Sequence, residues 1–156
     1  GWIQDAGIAR FRNWGSGGMD WYNSSAATRM LFIDNSGNAT FAGNVTAYSD
    51  VRLKQNIKTL NNSLELVKKL RGVSYNWIES GEYSIGVIAQ EVEKILPEVV
   101  LTTEERKPGE TTSREIKSVD YGKIVPVLIE AIKEQQKQIE EQKNQINELR
   151  DIINGN

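Results

Sequence analysis

The residues of this sequence that could carry out chemistry lie between Tyr48 and Lys54. The chain contains no histidine and no cysteine, so a serine nucleophile would need a carboxylate, a lysine or a tyrosine as its base. Ser49 precedes Lys54 by five residues, and a lysine acts as a base only when its pKa lies well below the reference value of about 10.4. Burial or a nearby cation lowers a lysine pKa; Arg52 would supply such a cation and Asp50 would oppose it. The same spacing equally fits a solvated turn in which Asp50 and Arg52 form a local ion pair.

The composition narrows the classes of function. The chain has 156 residues, of which 38% are hydrophobic and 26% are charged, enough for a modest core. A net charge of −2 provides no basic field for nucleic acid or for an anionic membrane surface. The lack of cysteine and histidine excludes disulfides, thiolate metal sites and imidazole chemistry, so we expect no metal and no cofactor. No apolar run reaches the roughly 18 residues of a membrane helix, and the first residues read as the middle of a longer protein.

Residues 1–48 predict the C-terminal end of a β-rich trimeric fibre. This segment is rich in glycine, asparagine, serine, threonine and alanine and contains no lysine. Residues 31–33 and 39–41 predict two strands around a polar turn at 34–38. Because such short strands bury little area within one chain, packing against copies of the chain is favoured over a small β-subdomain of a monomer.

Residues 49–120 predict a small α+β domain. Apolar residues at helical spacing between Leu60 and Leu70 predict a first helix, and a second short helix is predicted at 89–95. Two strand pairs are predicted, at 73–78 with 83–88 and at 99–102 with 115–119. Asn62 or Ser63 is the expected N-cap of the first helix, Gly72 is its stop, and Pro97 ends the second. The polar loop 103–113 is expected to be exposed and mobile.

Residues 121–156 predict a long C-terminal helix that forms a trimeric coiled coil. Apolar residues recur every seven positions. A second set, made of two leucines and two glutamines, follows three residues after each of the first four. The first set is Val125, Ile132, Ile139, Ile146 and Ile153, and the second is Leu128, Gln135, Gln142 and Leu149. A stripe this narrow suits self-association better than packing on the same chain, although a helix docked on its own domain is the alternative. The three segments together give an α+β fold class.

Several separated motifs resemble the intramolecular chaperone auto-processing family that closes phage endosialidases, tail fibres and neck appendages. These are Ser-Asp-x-Arg-x-Lys at 49–54, Ser-Ile-Gly-Val-Ile-Ala-Gln-Glu-Val at 84–92, Leu-Pro-Glu-Val-Val at 96–100 and Val-Asp-Tyr-Gly-Lys-Ile at 119–124. The resemblance covers residues 49 to about 140. The animal myelin regulatory factor carries a relative, but residues 36–47 are similar to fibre segments that lead into such domains, which favours the phage branch.

The resemblance implies a self-cleaving serine peptidase with a Ser-Lys dyad. Ser49 would be the nucleophile, Lys54 its base, and the bond between Tyr48 and Ser49 the one that is cut. Gln90 and Glu91 would either orient Lys54 or simply open the short helix, which is the favoured interpretation.

The resemblance also implies the partners and the location. The partners would be two further copies of the chain, the upstream fibre domain of the same chain and, through the fibre, a host surface glycan, with no nucleic acid and no membrane insertion. The mature fibre would belong to the virion tail, and the cleaved chaperone would be released in the host cytoplasm. Two alternatives remain open: a permanent trimerisation tip that never cuts, and a receptor-binding fibre end whose Trp14, Trp21 and Tyr22 contact sugar.

Overall fold

A computed structural model describes residues 10–14, 18–23, 28–106 and 111–155, with only the backbone of 10–14. The chain packs as two compact units, Gly1–Ile57 and Lys58–Asn156. The fold is α+β, with small sheets and a long C-terminal helix, as the sequence predicts. The predicted segments 1–48, 49–120 and 121–156 divide the chain by function, and those boundaries stay a prediction.

The first unit contains a four-stranded antiparallel sheet in the order β1-β2-β3-β4. Its strands are β1 (Arg10–Trp14), β2 (Gly18–Tyr22), β3 (Arg29–Ile33) and β4 (Ala39–Phe41). The predicted strand, turn and strand at 31–41 are confirmed, with Leu31 opposite Phe41. Within the turn, Asp34 Oδ1 accepts hydrogen bonds from the backbone N–H groups of Ser36 (2.8 Å) and Asn38 (2.9 Å). These bonds, and above all the one from the Asn38 side chain, hold the Asp34 pKa below its usual value.

An exposed stretch of the chain, residues 42–62, links this sheet to the first helix. Its only regular element is a 3-10 turn at Val51–Leu53. Apolar side chains along the stretch stay largely in solvent, namely Val45, Tyr48, Val51, Leu53, Ile57 and Leu60. The first helix begins at Ser63, in agreement with the expected N-cap at Asn62 or Ser63. Leu60 stays outside the helix because Asn62 takes a left-handed backbone conformation (φ 58°) that a helix cannot continue through.

The second unit contains three helices and two separate antiparallel hairpins. These are α1 (Ser63–Lys69), β5 (Val73–Asn76), β6 (Tyr83–Gly86), α2 (Ala89–Val92), β7 (Val100–Glu105), β8 (Arg114–Val119) and α3 (Ile124–Asn154). All four predicted strands of this unit are confirmed, with different ends. The β5–β6 pair is shorter than predicted because Trp77 N donates to Glu82 O (2.9 Å) and closes the turn there. The predicted helix at 89–95 is also shorter, and its chain continues as turns up to Pro97.

The β7–β8 pair reaches further into the predicted loop 103–113 than expected. Its ladder continues to the pair Glu105 and Arg114, whose side chains form an ion pair of 2.6 Å. Residues 107–110 of that loop lie outside the described residues. Residues 103–105 of the predicted loop therefore belong to β7.

The core of the second unit is formed by Val92, Leu96, Val99 and Val127. Leu66, Val67 and Leu70, from α1 and the residue after it, pack against this cluster together with Val87. Helix α3 supplies Val127 and also the buried Ala131. The long helix is thus docked on its own domain at its N-terminal end.

Candidate active site

The Ser49 and Lys54 side chains are in direct contact. Lys54 Nζ donates a hydrogen bond to Ser49 Oγ over 2.8 Å. A fully extended chain would separate residues five positions apart by about 17 Å. The 3-10 turn at Val51–Leu53 removes this separation, since Leu53 N donates to Asp50 O and Lys54 N donates to Val51 O, each over 3.1 Å. The two residues that the family resemblance assigns to the chemistry are therefore adjacent.

The Asp50 carboxylate begins this turn as its N-cap. Asp50 Oδ1 accepts a hydrogen bond from the backbone N–H of Arg52 over 2.9 Å. The Arg52 guanidinium also contacts both carboxylate oxygens, with Nη2 2.6 Å from Oδ2. Arg52 holds the pKa of Asp50 below its usual value, and Asp50 in turn raises the pKa of Arg52. The sequence left open whether Arg52 acts as a cation near Lys54 or forms a local ion pair with Asp50. The structure shows the ion pair.

The dyad and the bond beside it lie in solvent. Tyr48 is 96% exposed, and residues 49–54 are all exposed. A lysine base needs burial or an unpaired neighbouring cation, and Arg52 is already paired with Asp50. One copy of the chain, as far as it is described, therefore holds the candidate nucleophile and the candidate base in contact with each other but exposed to water.

Glu91 forms a two-pronged ion pair with Arg71. Arg71 Nη2 lies 2.5 Å from Glu91 Oε1, and Arg71 Nε lies 3.1 Å from Oε2. The hydrogen bonds from Arg71 lower the pKa of Glu91. Gln90, at the start of the same short helix, is exposed. Glu91 thus ties α2 to the chain that follows α1, and a partner 20 residues away leaves no local pattern by which the sequence could reveal it.

Two of the motifs behind the family resemblance meet at Tyr121. The Tyr121 hydroxyl accepts a hydrogen bond from Val87 N over 3.4 Å. A Cβ placed on Gly86 would lie 2.8 Å from the same hydroxyl oxygen, closer than side chains pack. Gly86 is therefore the residue that lets Tyr121 reach the backbone of the neighbouring motif. Sequence reasoning found both motifs but not the contact between them.

Comparison with known proteins identifies the segment that contains the dyad. Residues 49–101 match the family model described as the chaperone of endosialidase, Peptidase S74. This part of the chain is similar to that family. The match begins at Ser49 and includes Lys54, α1, the β5–β6 hairpin and α2.

Sequence relatives of this chain include long tail fibre proteins. The long tail fibre protein Gp37 of Enterobacteria phage K3 is 35% identical over 104 residues, which is 64% of this chain and 8% of the relative. The Gp37 of Salmonella phage S16 is 32% identical over 126 residues, which is 75% of this chain and 16% of the relative. This chain thus spans only a small part of the fibre proteins that it resembles.

Two solved structures show weaker similarity. A crystal structure described as a novel intramolecular chaperone is 17% identical, has a TM-score of 0.45 and is matched over 58% of this chain and 99% of its own. The carboxy-terminal domain of the bacteriophage T5 L-shaped tail fibre, with its intramolecular chaperone domain, is 11% identical and has a TM-score of 0.48. That match covers 84% of this chain and 47% of the T5 chain.

Helix α3 follows the chaperone-of-endosialidase segment and holds its first helix in place. The Glu134 carboxylate accepts hydrogen bonds from the backbone N–H groups of Ser63 (3.0 Å) and Leu64 (2.8 Å) at the start of α1. Asn62 occupies the N-cap position but makes no side-chain cap bond. The N-cap position is therefore one of the two expected, but the hydrogen bonds of the cap are accepted by an acid from a distant helix.

The heptad residues of α3 lie on a different face from the docked one. Val127 and Ala131 are buried, whereas the apolar residues of the heptad pattern are between 41% and 83% exposed. They are Val125, Leu128, Ile132, Ile139, Ile146, Leu149 and Ile153. The chain therefore docks α3 with one stripe and leaves the predicted coiled-coil stripe uncovered.

The described residues contain neither a metal-binding cluster nor a membrane-spanning helix. Within these ranges no group of three or more histidine, cysteine, aspartate or glutamate side chains is placed to hold a metal ion. No helix in the described part of the chain combines the length and the apolar character needed to cross a membrane.

Proposed function

We propose that this chain is the C-terminal intramolecular chaperone of a phage tail fibre, which trimerises and then releases itself by cutting between Tyr48 and Ser49. The observation that carries the proposal is the 2.8 Å contact between Lys54 Nζ and Ser49 Oγ at the first residues of the family match. The tail fibre relatives support the placement of the mature fibre in the virion tail. The cleaved chaperone would remain in the host cytoplasm.

The proposed reaction is an acyl shift followed by hydrolysis. Ser49 Oγ attacks the carbonyl carbon of Tyr48 and gives its proton to the neutral amine of Lys54. The new C–O bond forms, the C–N bond breaks, and Lys54 returns the proton to the departing amine of Ser49. Water then hydrolyses the ester. Because the nucleophile is one residue from its target carbonyl, little entropy is lost in bringing them together.

Assembly would provide the environment that the dyad lacks in one copy. The apolar residues that flank it, among them Val51 and Leu53, are 67% and 69% exposed. Burying them against neighbouring chains would also remove Lys54 from water, which favours the neutral amine that a base requires. Cleavage would then follow trimerisation.

The uncovered stripe of α3 supports the trimer. Isoleucines at 132, 139, 146 and 153 form an apolar seam along the helix. Gln135 and Gln142 lie between them and would form polar layers in the coiled coil. The domain of the same chain occupies another stripe, so the seam is available to two further helices. We infer three strands because the family resemblance of the preceding domain favours a trimer.

A C-terminal trimer would align the fibre strands before they pair. Pairing between chains is slow and prone to errors of register, and tethering three chains at one end raises their local concentration. Removing the tether afterwards leaves a fibre whose stability is kinetic, because unfolded strands can no longer be realigned.

Host binding belongs to the fibre part of this proposal. Trp21 and Tyr22 lie half-buried on β2, and the Trp14 side chain lies outside the described side chains. Contact of these residues with a host surface glycan stays a prediction.

Intact mass spectrometry of the freshly purified chain tests the proposal. We expect a fragment that begins at Ser49, its absence in Ser49→Ala and Lys54→Ala, and no rescue by Lys54→Arg, since arginine does not give up its proton. All three variants should still assemble. A fragment beginning at residue 49 in Ser49→Ala would contradict the dyad, and a single uncut band on SDS gels under all conditions would favour a permanent tip.

A further inference from the structure

We propose that Asp50 is a positioning residue for self-cleavage: its carboxylate caps the 3-10 turn that keeps Ser49 and Lys54 in contact. This inference rests on the proposed function and adds a residue that acts through the geometry of the dyad. Asp50 lies between the nucleophile and the turn, and its side chain reaches forward to the Arg52 backbone rather than to either member of the dyad.

The turn has little besides hydrogen bonds to hold it. None of the three residues Val51–Leu53 is buried, so apolar packing within the chain contributes nothing comparable to a core contact. Asp50 supplies two of the acceptors, its carbonyl oxygen for Leu53 N (3.1 Å) and its carboxylate for Arg52 N (2.9 Å). A cap is therefore a large share of what stabilises so short an element.

The contact between Lys54 and Ser49 depends on that turn. Lys54 itself has an extended backbone (φ −126°, ψ 148°), so the change in chain direction comes from residues 50–53. When the turn opens, the two side chains separate, and the rate of cleavage falls with the fraction of chains that keep the contact. In a typical helix, loss of an aspartate N-cap lowers the equilibrium constant for helix formation roughly fivefold. We expect a similar change for the turn at 51–53 wherever the turn is not fully formed.

The ion pair with Arg52 offers a competing explanation. Arg52 contacts both oxygens of the Asp50 carboxylate, so charge alone could fix the loop. Asparagine and serine separate the two roles, because both are good N-caps and neither carries charge. Asp50→Asn and Asp50→Ala make the same change of charge, but only the first keeps a cap acceptor.

Cleavage rates of the trimeric protein provide the first test. We expect Asp50→Asn and Asp50→Ser to cleave within about twofold of the parent, Asp50→Ala to cleave roughly fivefold more slowly, and Arg52→Gln to stay near the parent. Equal rates for Asp50→Ala and Asp50→Asn would overturn the positioning role. Cleavage by Ser49→Ala would instead overturn the proposed function, so the two failures are distinguishable.

A second readout does not require cleavage. Because the chain has no cysteine, Ser49→Cys introduces a single thiol, whose pKa can be measured from the pH dependence of alkylation in the uncut chain by mass spectrometry. A lysine ammonium in contact lowers a thiol pKa. Adding Asp50→Ala should raise that pKa because the contact is lost, whereas adding Asp50→Asn should leave it unchanged or lower it. A shift of equal sign and size for both variants would show that Asp50 acts by charge alone.

Discussion

The Glu134 carboxylate of α3 accepts a hydrogen bond from the backbone N–H of Ser63 over 3.0 Å, although the two residues are 71 positions apart. Its second oxygen accepts from Leu64 N over 2.8 Å. Both bonds satisfy N–H groups that a helix leaves without partners at its start. The first helix of the chaperone domain therefore has its cap on the helix that carries the coiled-coil pattern.

Glu134→Ala should destabilise the second unit by about 1 kcal/mol, the usual cost of losing an N-cap. Glu134→Gln should cost less, because an amide oxygen still accepts a hydrogen bond. Urea unfolding at a fixed chain concentration measures both, with Glu141→Ala on the same helix as the control. A Glu134→Ala midpoint equal to that of Glu141→Ala would show that the cap contributes nothing.

Ile139→Asp should dissociate the proposed trimer at neutral pH and slow self-cleavage. Three carboxylates in an apolar seam would each lose hydration at a cost of several kcal/mol, and protonation under mildly acidic conditions should restore part of the association. Asn144→Asp, which adds the same charge at an outward position of the heptad, should have little effect. Sedimentation equilibrium at two pH values and the cleavage rate would decide.

Point substitution tests this coupling more cleanly than truncation. Ending the chain after Lys133 would remove the seam but also Glu134 and with it the cap of α1. Ile139→Asp leaves Glu134 in place. Cleavage at the parent rate by a demonstrated monomer of this variant would contradict the dependence on assembly.

Gly86→Ala should destabilise the second unit by about 1 kcal/mol, because the added methyl group would meet the Tyr121 hydroxyl oxygen at 2.8 Å. In a chain that also carries Tyr121→Phe, that oxygen is absent and the cost of Gly86→Ala should shrink. A double-mutant cycle by urea unfolding measures the coupling. Additive effects of the two changes would mean that the close approach carries no strain.

The ion pair between Arg71 and Glu91 should give a pH-dependent part of the stability. Arg71 lowers the pKa of Glu91 below its ordinary value of 4.5, so the folded state binds the proton less tightly than the unfolded state. Its stabilisation is present above pH 4.5 and is lost as the pH falls through the folded-state pKa. Parent and Glu91→Gln should therefore differ in urea midpoint at pH 7, and the difference should shrink as the pH falls through the folded-state pKa of Glu91. In an Arg71→Gln background, Glu91→Gln should make a smaller difference at pH 7, because only the weaker charge interaction with Lys94 remains.

Sequence patterns predicted the helices and strands, which follow from local repeats, and missed the hydrogen bonds between residues that are far apart in the chain. The seven-residue repeat gave the long helix, and alternating apolar residues gave the strands around 31–41 and the two later hairpins. Leu60 continued the apolar spacing of α1, yet the left-handed Asn62 separates it from the helix. The Glu134 cap and the Arg71 partner of Glu91 come from residues 71 and 20 positions away, and no spacing rule links such pairs.

The candidate dyad was accessible to sequence reasoning for a different reason. Ser49 and Lys54 are close in the chain, so a single short turn suffices to join them. Family resemblance selected this pair among many with the same spacing. The proposed role of Asp50 could not be predicted from the sequence, because an aspartate near an arginine fits an ion pair and a helix cap equally well. The structure shows the hydrogen bond from the Arg52 N–H to the Asp50 carboxylate on which the proposal rests.

The two stripes of α3 give the proposed trimer a handedness. At about 100° per residue, the docked stripe through Val127 and Ala131 and the seam stripe through Val125, Leu128 and Ile132 are roughly 120° apart around the helix axis. A domain opposite the seam would point straight outward, but one at this angle leans to one side. In a threefold assembly each domain would be displaced to the same side of the line that runs from the threefold axis through its own helix. Each domain would therefore face one particular neighbour. Its two neighbours would then be unequal, and a chain could receive contacts from one and give them to the other.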